Sequence, residues 1–220
     1  MTQANLFAAS MAAHSPQKVT GMIKRVANAL AKREAFEQQK APNALHIELQ
    51  AAKAQLQGNK TVARLFLSIA ADPDVVLNRE RKRGYRANLK CIRKVRMLAE
   101  YMAGDNGKIN GVCKALFAAT ILAGMSGKPW VSNNDAEKLL LQVPLSDLPQ
   151  ELADALAELR GLNIRDAKEA RNQACQFRTA FENLGCYYVC KGNSDNLDQR
   201  GIVANNDSPL IQALAQRWGF

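Results

Sequence analysis

Apolar residues recur three and four apart through most of this chain, the spacing that places them on one side of a helix. Ser15-Pro16 reads as an N-cap followed by proline at the first helical position, and Met22, Ile23, Val26, Ala27 and Leu30 carry the pattern to about Gln39. Lys24, Arg25, Lys32 and Arg33 are expected on the outer side of that helix. Pro42 opens a second helix with Leu45, Leu49, Ala52 and Leu56 on its inner face, closed by Gly58. A third, Thr61 to Ala71, carries Val62, Leu65, Phe66 and Ile69 and stops before Pro73. Residues 1–14 lack such a pattern and read as a flexible arm.

The span from Arg79 to Met102 combines the same periodicity with an excess of cations. Turning about 100° per residue from Tyr85 puts Cys91, Ile92, Val95, Leu98, Ala99 and Met102 on one arc. Arg86, Lys90, Arg93, Lys94 and Arg96 fall on the opposite arc, and Arg79, Arg81, Lys82 and Arg83 precede them against a single Glu80. An anchored helix that shows cations to water suits a polyanion. An ordinary solvated face is the bland alternative, and the size of the imbalance disfavours it. Tyr85 and Tyr101 can stack on bases in a single strand, although Tyr101 falls at the border of the apolar arc and suits the core better.

Gly104 ends that helix, and Asp105-Asn106-Gly107 is a turn and the expected boundary between a basic helical bundle, 15–104, and a second domain, 105–220. Charge changes at the same place. Residues 1–104 hold 18 Lys and Arg against 7 Asp and Glu, and residues 105–220 hold 12 against 13, so the formal +10 of the chain belongs to its first half.

Beyond the turn, Gly111 to Gly124 is apolar almost all round and reads as a central buried helix, too short to cross a bilayer. Ser132 caps a helix to about Leu141 with Asp135 and Glu137 in its first turn. Ser146 opens another, carrying Leu148, Leu152, Leu156 and Leu159 to Gly161. A long helix from Asn163 to Leu184 follows, with Ala170, Ala174, Phe177, Phe181 and Leu184 inward and Gly185 at its end. Cys186–Cys190 and Gly201–Ala204 have strand composition and form a β-hairpin around a polar tip. A last helix, Pro209 to Trp218, packs Leu210, Leu214 and Trp218 back onto the body.

Helices, a long helix ending in Leu184-Gly185, then a two-stranded hairpin: over residues 108–206 this order resembles a winged helix-turn-helix domain. The fold class is therefore mainly α, an N-terminal helical bundle with a C-terminal winged-helix-like domain and one β-hairpin. The resemblance implies that the long helix is a recognition helix, whose outer face holds Lys168, Arg171, Asn172, Cys175, Gln176, Arg178 and Thr179. Arg, Asn and Gln can each make paired hydrogen bonds to a base edge. Glu169 and Glu182 oppose phosphate there. Lys191 and Arg200 stand at the base of the wing with Asn193 and Asn196 near its tip, but Asp195 and Asp198 make it a weak contact. The near-neutral second half suits a protein partner equally.

Five cysteines, three at apolar positions of expected helices, suit a reducing compartment, and Cys186-x3-Cys190 lacks the two further ligands of a zinc site. No metal or other cofactor is implied. Ser126-Gly127-Lys128-Pro129 has neither the glycine spacing nor the hydroxyl of a phosphate-binding loop, and His14 and His46 are far apart. No acid–base partner for a nucleophile is evident, so the chain does not read as an enzyme. Without a cationic leader or a run of about 20 apolar residues, no membrane association is expected and the location reads as cytoplasmic.

These features favour a nonenzymatic nucleic-acid-binding protein, DNA ahead of RNA, in regulation or genome maintenance; its overall texture, though no particular residue, is that of a mobile-element protein. The alternatives are a helical RNA-binding subunit of a ribonucleoprotein and a protein–protein adaptor with a basic docking face.

Overall fold

The computed structural model describes residues 3–42, 45–81, 85–86, 89–104, 108–125, 131–141, 164, 166–190 and 201–220. It is mainly helical, and the chain falls into two compact units, Met1–Lys108 and Ile109–Phe220.

In the first unit the helices start and stop largely where capping chemistry directs. Ser15 accepts a hydrogen bond from the Lys18 amide at the head of α2 (Pro16–Lys40), and Pro16 occupies its first turn. Gly58, at φ 73°, ends the turn after α3 (Ile47–Leu56), and Asn59 caps α4 (Lys60–Ser68) by accepting from the Thr61 and Val62 amides. α4 is the axis of the unit: Val62, Ala63, Leu65 and Phe66 are fully buried, and α1, α2 and α6 pack around it.

Three expectations are corrected here, and one further helix is added. Residues 3–13, expected as a flexible arm, form α1 (Gln3–Ala13), because Phe7 and Met11 find burial against α4 and α6 that the local sequence does not announce. His14 then joins Ser68 through Nε2 at 3.0 Å. Leu45, assigned to the inner face of the second helix, is 83% exposed, since α3 begins only at Ile47 behind His46 in left-handed backbone. α4 stops before Pro73 as expected, and a six-residue helix that the sequence reading did not include, α5 (Pro73–Asn78), follows it, capped by Asp72 on the Asp74 amide. Arg33, expected outside, is buried, for reasons set out below.

The basic span divides into two elements. Glu80–Arg81 (β1) and Tyr85–Arg86 (β2) form a short antiparallel ladder, with Glu80 opposite Arg86 and Arg81 opposite Tyr85. The helix, α6 (Leu89–Ala103), starts after it. The expectation that Tyr85 and Arg86 share one helix with Lys90 to Arg96 is thus overturned. Within α6 the amphipathic reading holds: Val95, Leu98, Ala99 and Met102 are buried against α3, α4 and α1, and Arg93 is exposed. Gly104, at φ 82°, follows its end.

The second unit is built on α7 (Gly111–Met125), buried on every side from Val112 to Ala123 apart from half-buried Lys114. Phe117 is its hub, with ring centroids 4.8 Å from Phe177, 4.7 Å from Phe181, 5.7 Å from Tyr187 and 6.4 Å from Trp218. Phe177 and Phe181 sit one turn apart on α9 (Ala167–Glu182), so a single helix face supplies both. Ser132 caps α8 (Asn133–Leu140) in a reciprocal box with Asp135, as its sequence directs.

The hairpin of β4 (Tyr187–Cys190) and β5 (Gly201–Ala204) forms as expected. A third strand, β3 (Val131–Ser132), joins β5 in antiparallel pairing, giving the sheet order β3-β5-β4. Tyr187 points into the aromatic core and Tyr188 is exposed, the alternation of a sheet with one buried face. Gly185, at φ 72°, turns the chain from α9 into the sheet, and α10 (Pro209–Arg217) buries Leu210, Ile211, Ala213 and Leu214. The helix expected from Ser146 to Gly161, the turn at 126–130 and the wing tip at 191–200 lie outside the described residues.

Candidate nucleic-acid interface

The first unit's carboxylates are distributed unevenly over its cations. Of the seven before Asp105, five form ion pairs among the described residues. Arg25 meets Asp72 at 3.3 Å, Lys32 meets Asp74 at 2.8 Å, Arg33 meets Glu37 at 2.7 Å and Lys53 meets Glu34 at 2.9 Å. Only the fifth pair, Arg96 with Glu100 at 2.6 Å, draws on the span from Arg79 to Arg96. The acids of the bundle are therefore spent mainly on α2 and α3.

Of the candidate phosphate ligands, Arg79 caps α5 and is exposed, and Arg81 and Arg86 occupy opposite strands of the ladder. Lys90 lies in the first turn of α6, Arg93 is exposed, and Lys94 is half-buried with a further contact of its own. Arg96 is the member held by a carboxylate, one helical turn away. Lys82 and Arg83 lie outside the described residues.

The outer face of α9 is differently furnished. Asp166 caps the helix, accepting from the Glu169 amide, and Lys168, Arg171, Asn172 and Cys175 are exposed. Gln176 is half-buried, as is Arg178, which has a further contact. Thr179, expected on this face, is buried, because it lies near Phe181 and Ala180 on the side turned to the body. Arg171 donates through Nε and Nη2 to the two oxygens of Glu137 on α8, at 3.0 and 3.3 Å, and the carboxylate raises its pKa. Lys191 and Arg200 lie outside the described residues.

Two features escaped the sequence reading. The buried Arg33 gave no local sign, since its burial depends on a segment more than 40 residues away. The ladder at Glu80–Arg86 could have been suspected from Gly84-Tyr85, a turn residue followed by a strand former. No family model matches the chain, and neither the curated proteins nor the solved structures contain a significant match. Among the described residues no helix is long and apolar enough to cross a membrane.

Proposed function

We propose that this protein is a nonenzymatic nucleic-acid-binding protein, DNA favoured over RNA, that holds a phosphate chain with the ladder and outer face of the basic span. The observation that carries the reading is the allocation of carboxylates: among the described residues, four of the five ion-paired acids of the first unit sit with cations of α2 and α3, whereas the span from Arg79 to Arg96 holds nine Lys and Arg against one Glu in the sequence. Clustered cations on packed elements displace counterions from a polyanion, and each phosphate neutralised contributes about 0.9 to the log–log salt dependence on duplex DNA.

For the second unit the reading is a winged-helix-like domain. Its support is the order α7, β3, α8, α9 and then the β4–β5 hairpin, with α9 packed on α8 and β3 added to the hairpin. Its balanced charge and the engagement of Arg171 by Glu137 favour a part in directing the complex, by groove contact or by docking a protein, over gripping phosphates.

Titration of duplex DNA, single-stranded DNA and RNA at two salt concentrations tests this. Tightest binding to duplex, weakening steeply with salt, is the expected result. Preference for RNA transfers the reading to a ribonucleoprotein subunit, and salt-insensitive binding or none at all removes the phosphate interface altogether. Charge reversal at Arg86, Lys90, Arg93 and Lys94 together abolishes binding with the helical circular dichroism retained.

A further inference from the structure

We infer that Arg33 and Asn78 are positioning residues that hold the root of the basic ladder in place, an inference whose functional consequence rests on the nucleic-acid reading above. α5 is only six residues long and ends at Arg79, the first cation of the basic span. A helix this short has little stability of its own, and its last carbonyls have no partners within it. α2 supplies them. The buried guanidinium of Arg33 donates through Nη1 to the Leu77 carbonyl at 2.7 Å while its Nε is held by Glu37 at 2.7 Å. A cation at the carboxyl end of a helix is also favoured by the helix dipole.

Asn78 returns the contact. Its Nδ2 donates to the Ala29 carbonyl of α2 at 2.9 Å and to Asp74 Oδ1 at 2.8 Å, and the other oxygen of Asp74 accepts from Lys32 at 2.8 Å. At the opposite end of α5, Arg25 meets the capping Asp72. α5 is thus gripped along its whole length by one face of α2, and the grip is deepest at Leu77 and Asn78, immediately before the chain leaves for β1. Val76 and Leu77 supply apolar burial, but apolar contact alone does not fix the direction of the last turn. Two buried hydrogen bonds to backbone carbonyls do, because each has a narrow range of distance and angle. Arg33 itself is buried and occupied at two of its donors, so it serves the interface by setting where Arg79 and the ladder stand.

The full chain carrying Arg33→Met, Arg33→Lys or Asn78→Ala is compared with wild type and with Met11→Ala, a core change in α1 that lowers stability away from α5. Hydrogen exchange by mass spectrometry is read on peptides covering 79–86 and 60–68. The expected result is exchange in 79–86 faster by about tenfold or more in Arg33→Met and Asn78→Ala, a smaller effect in Arg33→Lys, and no selective change in Met11→Ala. In parallel, the salt slope for duplex DNA, measured well below the melting transition, falls by about 2 in Arg33→Met as two phosphate contacts are lost, and stays at the wild-type value in Met11→Ala. Unchanged protection of 79–86 in Arg33→Met overturns the inference; should that variant not fold, the same outcome in Asn78→Ala does so. If wild type binds no nucleic acid the proposed function falls, and the exchange measurement, which needs no ligand, still decides whether the clamp holds the ladder.

Discussion

Arg171 on α9 and Glu137 on α8 form a two-pronged ion pair, Nε and Nη2 of the guanidinium reaching the two oxygens of one carboxylate. Glu137 is largely covered and Arg171 is 74% exposed, so the arginine lies across the surface with its Nε–Nη2 edge occupied. An exposed pair of this kind adds little to folding. Its effect is on recognition, since Glu137 neutralises the arginine and holds its Nε–Nη2 edge, which lowers what a phosphate or base gains from Arg171. Arg171→Ala is accordingly expected to leave both the affinity for duplex DNA and its salt slope unchanged, with melting close to wild type. A slope lower by about 0.9 would instead place Arg171 on a phosphate.

The Arg96–Glu100 pair gives the opposite expectation within the basic span. Glu100 stands one turn after Arg96 and neutralises it, while Arg93 one turn earlier is exposed. Glu100→Gln removes that competitor, so nucleic acid is expected to bind several-fold more tightly with a steeper salt dependence. The cost to helix stability should stay within about 0.5 kcal/mol, the usual worth of an i,i+4 pair. Unaltered affinity in that variant would show that the Arg96 edge of α6 faces away from the ligand.

What the sequence disclosed, and what it withheld, follows the range of the forces involved. Caps and glycine stops act within one helical turn, so Ser15, Ser132, Gly58 and Gly185 could be read directly, as could the buried arc Val95, Leu98, Ala99 and Met102 of α6. α1 and the inward turn of Arg33 depend on partners tens of residues away, and no local pattern encodes them. β3 is two residues long, too short for any alternation to register, and exists because β5 offers it an edge. Of the proposed interface, the excess of cations stands in the sequence and their arrangement does not: the break between ladder and helix at Arg86 and Leu89 changes which cations share an element.

Phe117 provides a test of the second unit by itself. It lies against aromatic rings from α9, from β4 and from Trp218, the residue that caps α10. Phe117→Ala is expected to destabilise this unit by about 3–5 kcal/mol, the usual cost of emptying a fully buried aromatic site. Both tryptophans, Trp130 and Trp218, belong to residues 109–220, so tryptophan fluorescence reports this unit alone. The fluorescence transition in urea should move to much lower denaturant while the part of the helical signal due to the first unit persists. Coincident loss of both signals would show that the two units do not unfold independently.

Alkaline pH should weaken the same core. Cys186 and Tyr187 are both fully buried, and loss of water around them pushes both pKa values well above the ordinary 9.0 of a thiol and 10.0 of a phenol; for Tyr187 the neighbouring Cys186 adds to the rise, and the Thr120 hydroxyl, 3.4 Å from its own, offsets a little of it. The folded unit keeps these protons at a pH where the unfolded chain has released them. Stability from this source is therefore complete below about pH 9 and falls as the pH rises beyond the unfolded values, by up to about 1.4 kcal/mol per pH unit for each group. The urea midpoint of tryptophan fluorescence should hold steady from pH 7 to 8.5 and drop progressively from pH 9 to 11. Tyr187→Phe removes one of the two titrating protons while keeping the ring beside Phe117 and Phe177, and its midpoint should fall less steeply over that range. Equal slopes for wild type and variant would show that the Tyr187 proton is not held by the fold.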